Sequence, residues 1–284
     1  MKKIKQLKKP KGLSFFLLSL LVFWPCPAGV FASETTLLSG LTDARFKPDT
    51  GPEAKRLFDV LGEGLSSYEK LRDYRAKFIK KERSGSELAE EEEIFLKFEK
   101  PFKIFMKWLN TGKRGVEVFY ERGRNNGKLV IHQPGLLLGL APVIFLDQNS
   151  PWVREGSASY NIEDAGIGTF LADFTKAVIS AGNEKKLKVE WPKERVSDVT
   201  FLESKKDTIY FAYRVRVLFD EKTSLPIRME LFDWHDTPMG IYEYRDLALN
   251  VGEDTEFKKE INRHLLKVYR SGEKTKAASS ANLA

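Results

Sequence analysis

Three histidines, one cysteine, an acidic run and a glycine-bearing turn are the places where this 284-residue chain could carry chemistry. His132, His235 and His264 stand too far apart in sequence to form a short metal motif. Asp233, His235 and Asp236 lie together in DWHDTP, a grouping suited to a metal or to acid–base work. Strand alternation followed by a turn would scatter those side chains, and a solvated turn is the expected role. The run EEEE (90–93) lacks the fixed oxygen spacing of a calcium loop and reads as keeping a strand edge soluble. GIGTFL (166–171) opens a helix as a dinucleotide-binding turn would, but Leu171 occupies the place of the third glycine and no parallel βαβ unit surrounds it. Its glycines are expected to let the helix start pack closely. Arg214, Arg216 and Arg228 fall on neighbouring strands, where they suit an anionic headgroup or, as preferred here, pair with Glu230 and other acids across strands. No G-x-S-x-G, H-E-x-x-H or phosphate loop occurs. No catalytic residue, metal or cofactor is therefore assigned, and an enzyme is not expected.

The formal charge of +7 does not indicate nucleic acid, because six lysines sit within the first eleven residues. Without them 41 basic side chains face 40 acidic ones. Those lysines precede LSFFLLSLLVFW (13–24), which is short for a bilayer span of about 20 residues. With small residues at Val30 and Ala32 the segment reads as a secretory signal, 1–32, cut after Ala32. Cys26, the single cysteine, lies inside this leader behind Trp24 and Pro25, which does not fit a lipidation site. The mature chain then has no thiol, and its stability must come from its core. The periplasm is the expected location.

Residues 33–49 read as a linker, 50–268 as one domain and 269–284 as a disordered tail. Within the domain a helix is expected from a Thr50–Glu53 capping box, with Leu57, Val60, Leu61, Gly64, Leu65, Tyr68 and Leu71 on one stripe. The period then changes to alternation over 73–83, 93–100, 102–109 and 115–120, with KLVIH following a glycine–asparagine turn. A second helix, capped by Asp164, carries Ile167, Phe170, Leu171, Phe174, Ala177 and Val178 and ends at Gly182. Strands resume at 195–204, 209–220, 225–234 and 240–250, and a short third helix is expected near 255–266.

The hairpin FDEKTSLPIRMELFD, followed by YRDLALNVGEDTEFK, resembles a hairpin of the periplasmic lipoprotein carriers related to LolA and LolB. LKFEKPFKIFMKW resembles their strand pair joined at a K-P-F corner. YRAKFIKKER, GVEVFYERGRNNGKLVIH and DAGIGTF resemble a bacterial secreted family, domain of unknown function 1571. The resemblance covers roughly residues 50–265 and is broken between Pro134 and Ser159. It implies an α+β fold: a curved antiparallel sheet, an open half-barrel, with helices covering its concave face.

The same resemblance implies an apolar lining, and alternation selects its members: Leu96, Phe98, Ile104, Met106, Trp108, Val118, Tyr120, Phe211, Tyr213, Val215, Met229 and Leu231. Such a lining would hold a lipid, a lipoprotein acyl chain or another amphiphile without covalent chemistry. Transient envelope protein partners would accompany that role, in a monomer that binds no nucleic acid. The alternative is a structural or interaction module of the cell envelope whose half-barrel is filled by its own helices.

Overall fold

The computed structural model describes residues 51–135, 143–148, 150, 162, 165–202, 210–253 and 255–270. The leader, the linker, the Thr50 and Asp164 caps and residues 271–284 lie outside the described residues. Helix α1 (Gly51–Glu69) precedes strands β1 (Asp73–Ser84), β2 (Glu87–Leu88), β3 (Glu92–Glu99), β4 (Lys103–Trp108), β5 (Glu117–Glu121), β6 (Leu129–His132) and β7 (Ile144–Leu146). Helix α2 (Ile167–Asn183) is followed by β8 (Leu187–Lys193), β9 (Val196–Phe201), β10 (Arg214–Phe219), β11 (Pro226–Phe232), β12 (Pro238–Leu249) and helix α3 (Thr255–Glu260). Residues 263–270 are helical again, and Tyr269, at the expected edge of the tail, is buried.

The strands form one antiparallel sheet in the order β7-β6-β5-β4-β3-β1-β12-β11-β10-β9-β8, with β2 paired to β1 alone. Its two ends, β7 and β8, are not joined, so the sheet is an open half-barrel of the expected class. The central pair is β1 with β12, the first long strand with the last, which ties the two meanders into one body. Register breaks at Arg75/Lys77, Leu218/Phe219, Leu231/Phe232 and Glu190/Lys193 mark bulges, the usual device for bending a strand and raising its twist.

Three sequence boundaries differ from expectation. β7 and β8 depart from the expected strands: β7 is three residues long, and β8 alternates half-buried with exposed positions over most of its length, as an edge strand does. The strand expected over 209–220 begins only at Arg214, because Tyr210 to Ala212 turn inward together, all three buried, where a strand would alternate them.

Two cores result, one on each side of the sheet. The larger lies on the inner face, where α1 and α2 pack on each other and over the β8 and β11 half of the sheet. The smaller lies on the outer face of β3–β6, where Phe95, Phe105, Phe119 and Val130 are covered by Phe257, Ile261, Leu265 and Tyr269. EIFLKFE and KIFMKW are apolar at both parities because both faces of these strands are buried, which alternation alone does not predict.

Candidate functional site

The register sets the proposed lining on one continuous face. Leu96 lies opposite Met106, Phe98 opposite Ile104 and Ile94 opposite Trp108 across β3–β4. Ile104 meets Tyr120 and Met106 meets Val118 across β4–β5. On the other half, Val215 meets Leu231 across β10–β11. β1 and β12 bridge the halves with Tyr74, Ala76, Phe78, Tyr242 and Tyr244 on the same side. Phe211 precedes β10 and joins a ring cluster with Phe170, Phe174 and Phe201. Tyr213 differs: it is half-buried and stands outside the main core cluster. The other eleven lining residues are buried, Ile104, Met106, Val118 and Val215 completely.

The roof over this face is held by close contacts at two glycines. A Cβ at Gly64 of α1 would lie 2.6 Å from the Ser224 carbonyl oxygen, so the helix sits directly on the β10–β11 turn. The Ser224 hydroxyl donates to Glu63 at 2.8 Å from the same turn. A Cβ at Gly168 of α2 would lie 2.1 Å from Cζ and 2.2 Å from the hydroxyl oxygen of Tyr68 of α1. Gly166, with φ of 115°, precedes α2 in a conformation open to glycine, and the Tyr74 hydroxyl takes the Ile167 amide at 3.0 Å. GIGTFL is thus a packing device for the helix start. At the far edge, Arg56 of α1 lies 4.2 Å over the Trp191 ring of β8 and donates to the Glu194 carbonyl.

One end of the inner face is charged, a feature alternation did not reveal. Lys80 is buried between Glu82 at 3.2 Å and Glu92 at 3.3 Å, and Glu92 also pairs with Lys113. Trp108 Nε1 donates to Glu92 at 3.3 Å and the Tyr242 hydroxyl to Glu82 at 3.0 Å. The EEEE run is corrected accordingly: β3 is an interior strand, and Glu92 turns inward onto two lysines instead of solubilising an edge. Burial pushes Glu92 up, but Lys80 and Lys113 outweigh it and leave its carboxyl below the usual range.

Burial dominates at Glu82 and raises its carboxyl to about 7, with Lys80 and Tyr242 opposing. The ordinary value is 4.5, so the folded state holds this proton more tightly than the unfolded chain. The resulting stability is fully present below about 4.5 and is lost as pH rises through about 7. Glu82→Gln mimics the protonated form. It should match the parent in urea unfolding at pH 4 and exceed it by about 1–3 kcal/mol at pH 8. Equal gains at both pH values would mean that Glu82 is not the titrating group.

The histidines and arginines resolve differently. His132 lies 4.0 Å from Glu117 and within electrostatic reach of His264, beside the C-terminal helices, where the Asn262 backbone amide donates to Glu117 at 2.9 Å. In DWHDTP, Asp233 accepts the His235 and Thr237 amides at 2.9 and 3.1 Å and pairs with Arg83 at 2.6 Å, a hydrogen-bonded turn. Among the described residues no three His, Cys, Asp or Glu side chains are grouped to hold a metal. Arg216 pairs with Asp198 at 2.7 Å and Arg228 with Glu243 at 2.7 Å, forming the cross-strand ladder preferred from the sequence. A pocket of about 250 Å³ opens beside them on the outer face, lined also by Pro192, Lys193, Val196, Leu218 and Glu230. Its two guanidinium groups are already committed to these carboxylates.

Comparison with known proteins adds a family and a set of similar folds. Residues 71–263 match the model of a family described as protein of unknown function, DUF1571. No curated protein matches the chain. Among solved structures, an outer membrane lipoprotein-sorting protein domain from Vibrio parahaemolyticus is 12% identical, with 72% of this chain and 96% of that one covered and a TM-score of 0.34. A LolA superfamily protein from Nitrosomonas europaea is 10% identical, with 75% and 100% covered and a TM-score of 0.31. A chain of the MucA/MucB complex from Pseudomonas aeruginosa is 12% identical, with 74% and 61% covered and a TM-score of 0.38. At this distance no residue's role is carried across.

Proposed function

This chain belongs to the DUF1571 family, and on that premise we propose that it is a periplasmic, non-enzymatic carrier that buries a lipid, a lipoprotein acyl chain or another amphiphile against the inner face of its sheet. The observation that carries this reading is the face itself: an uninterrupted apolar surface crosses both halves of an open sheet, and part of its cover is two helices that rest on it through side-chain packing. Aromatic and methionine side chains such as Trp108, Tyr120 and Met106 adapt readily to a flexible hydrocarbon. Burying a methylene yields about 0.8 kcal/mol, so a chain of about sixteen carbons gains on the order of 10 kcal/mol before losses. That gain must exceed the helix–sheet contacts it displaces, so loading requires α1 and α2 to lift. Transient contacts with envelope proteins that deliver or receive the ligand belong to this reading, with the carrier acting as a monomer.

A second reading is favoured by one observation: the side chains of this face are already buried with the roof in place. A structural or interaction module of the envelope would be built in that way. Mass spectrometry of organic extracts from the purified mature protein, combined with titration by a fluorescent fatty acid, separates the two. A lipid recovered in stoichiometric amount, or saturable probe uptake, is the expected result. Repeatedly empty preparations that also refuse the probe would leave the structural module standing.

A further inference from the structure

Beneath the first turn of α2, tyrosines from three elements converge: Tyr68 from α1, Tyr74 from β1 and Tyr244 from β12. The phenol end of Tyr68 packs against Gly168, and the Tyr74 hydroxyl accepts the Ile167 amide. Tyr74 and Tyr244 meet edge-on with ring centroids 6.2 Å apart. The three hydroxyls are close enough to influence one another: burial pushes Tyr74 up, and Tyr244 and Tyr68 push it further. Burial raises Tyr244 as well.

Two features of this cluster call for a ligand atom. Tyr244 is 4% exposed, and among the described residues its hydroxyl has no hydrogen-bond partner. Buried hydroxyls are nearly always bonded, and a persistent exception points to a group that arrives from outside. The second feature is α2, a 17-residue helix that aims its N-terminus at the cluster, with no side chain capping it among the described residues and no acid in its first turn. A helix start carries partial positive charge and offers donors. Tyr74 already uses its oxygen as an acceptor for Ile167, so the proton it presents, like that of Tyr244, is available to donate. The surroundings therefore supply donors to an acceptor that carries no proton of its own.

We propose that Tyr244, together with Tyr74 and the N-terminus of α2, receives a carboxylate or ester carbonyl oxygen of the bound amphiphile. This rests on the carrier reading and specifies the ligand's chemistry: an acyl compound, held with its carbonyl end buried at the helix start and its tail along the sheet. The site lies at the α1–α2 interlock, so an incoming acyl group meets it when the roof lifts.

The test uses the full mature chain and three probes of equal length: an 18-carbon polyene fatty acid, its methyl ester and the corresponding hydrocarbon. Tyr244→Phe should weaken acid or ester binding about tenfold and leave the hydrocarbon unchanged. Loss confined to the acid identifies a carboxylate, and loss of both identifies a carbonyl. The same variant should melt at or above the parent temperature, because an orphan hydroxyl has been removed. A lower melting temperature means that the hydroxyl serves the fold, which overturns the proposal. Unchanged acid and ester affinity, or equal loss of all three probes, also overturns it while leaving the carrier reading intact. If the parent protein takes up none of the probes, the carrier reading itself falls.

Discussion

Lys97→Met is expected to cost about 3–5 kcal/mol. The Lys97 side chain is fully buried and pairs at 2.7 Å with Asp73, itself buried. It also donates to the Gly252 carbonyl at 2.5 Å, while Asp73 accepts the Gly252 amide at 2.9 Å. Nearby, the Arg72 amide bonds to Asn250 at 2.8 Å. The pair therefore fastens the start of β1, the end of β3 and the turn after β12 at one point. Methionine fills much of the same volume but leaves the Asp73 carboxylate buried with a single amide for company. The penalty comes from that stranded charge and not from lost attraction, so adding Asp73→Asn should recover at least half of the loss. Urea unfolding of the two single variants and the double gives the comparison. A double variant no more stable than Lys97→Met alone would show that packing, and not the carboxylate, sets the cost.

This pair also shows where sequence reading stops. Alternation in 93–100 correctly sends Ile94, Leu96 and Phe98 to one side, and by the same logic sends Lys97 outward. Outward here means beneath α3 and residues 263–270, because this half of the sheet is covered on both faces. The signal was present as Phe95, Phe105 and Phe119 at the supposedly solvent parity: Phe105 lies opposite Phe119 across β4–β5, and the Phe95 ring stands 6.2 Å from that of Phe105. Lys80, Glu82 and Glu92 are the converse case: polar residues on the inner face, whose partners come from β1, β3 and the loop carrying Lys113. Local pattern fixes which residues share a strand face. It cannot say which faces meet, and the outer core and the tyrosine cluster depend on contacts about 100 or more residues apart, such as β1 with β12.

The roof supplies the second large effect. Gly168→Ala should destabilise the protein by about 1–3 kcal/mol, although alanine favours a helix by about 1 kcal/mol over glycine. The added methyl comes within 2.1 Å of Tyr68 Cζ, and that ring cannot retreat freely because Lys100 sits 4.2 Å over it and bonds to the Tyr68 carbonyl at 2.7 Å. Tyr68→Leu alone loses packing. Combined with Gly168→Ala, it removes the obstacle that the methyl meets, so the double variant should be more stable than the sum of the singles by at least about 1 kcal/mol. Additivity within about 0.5 kcal/mol would show that Tyr68 and Gly168 do not interlock. The same variant bears on loading. If α1 and α2 leave the sheet as one unit, loosening their interlock should leave the rate of fatty-acid probe uptake unchanged. If they must part for an acyl chain to pass between them, Gly168→Ala should speed uptake in proportion to the contact it weakens. The position of this contact, directly above Tyr74 and the start of α2, favours parting: a gap opened there leads straight to the inner face.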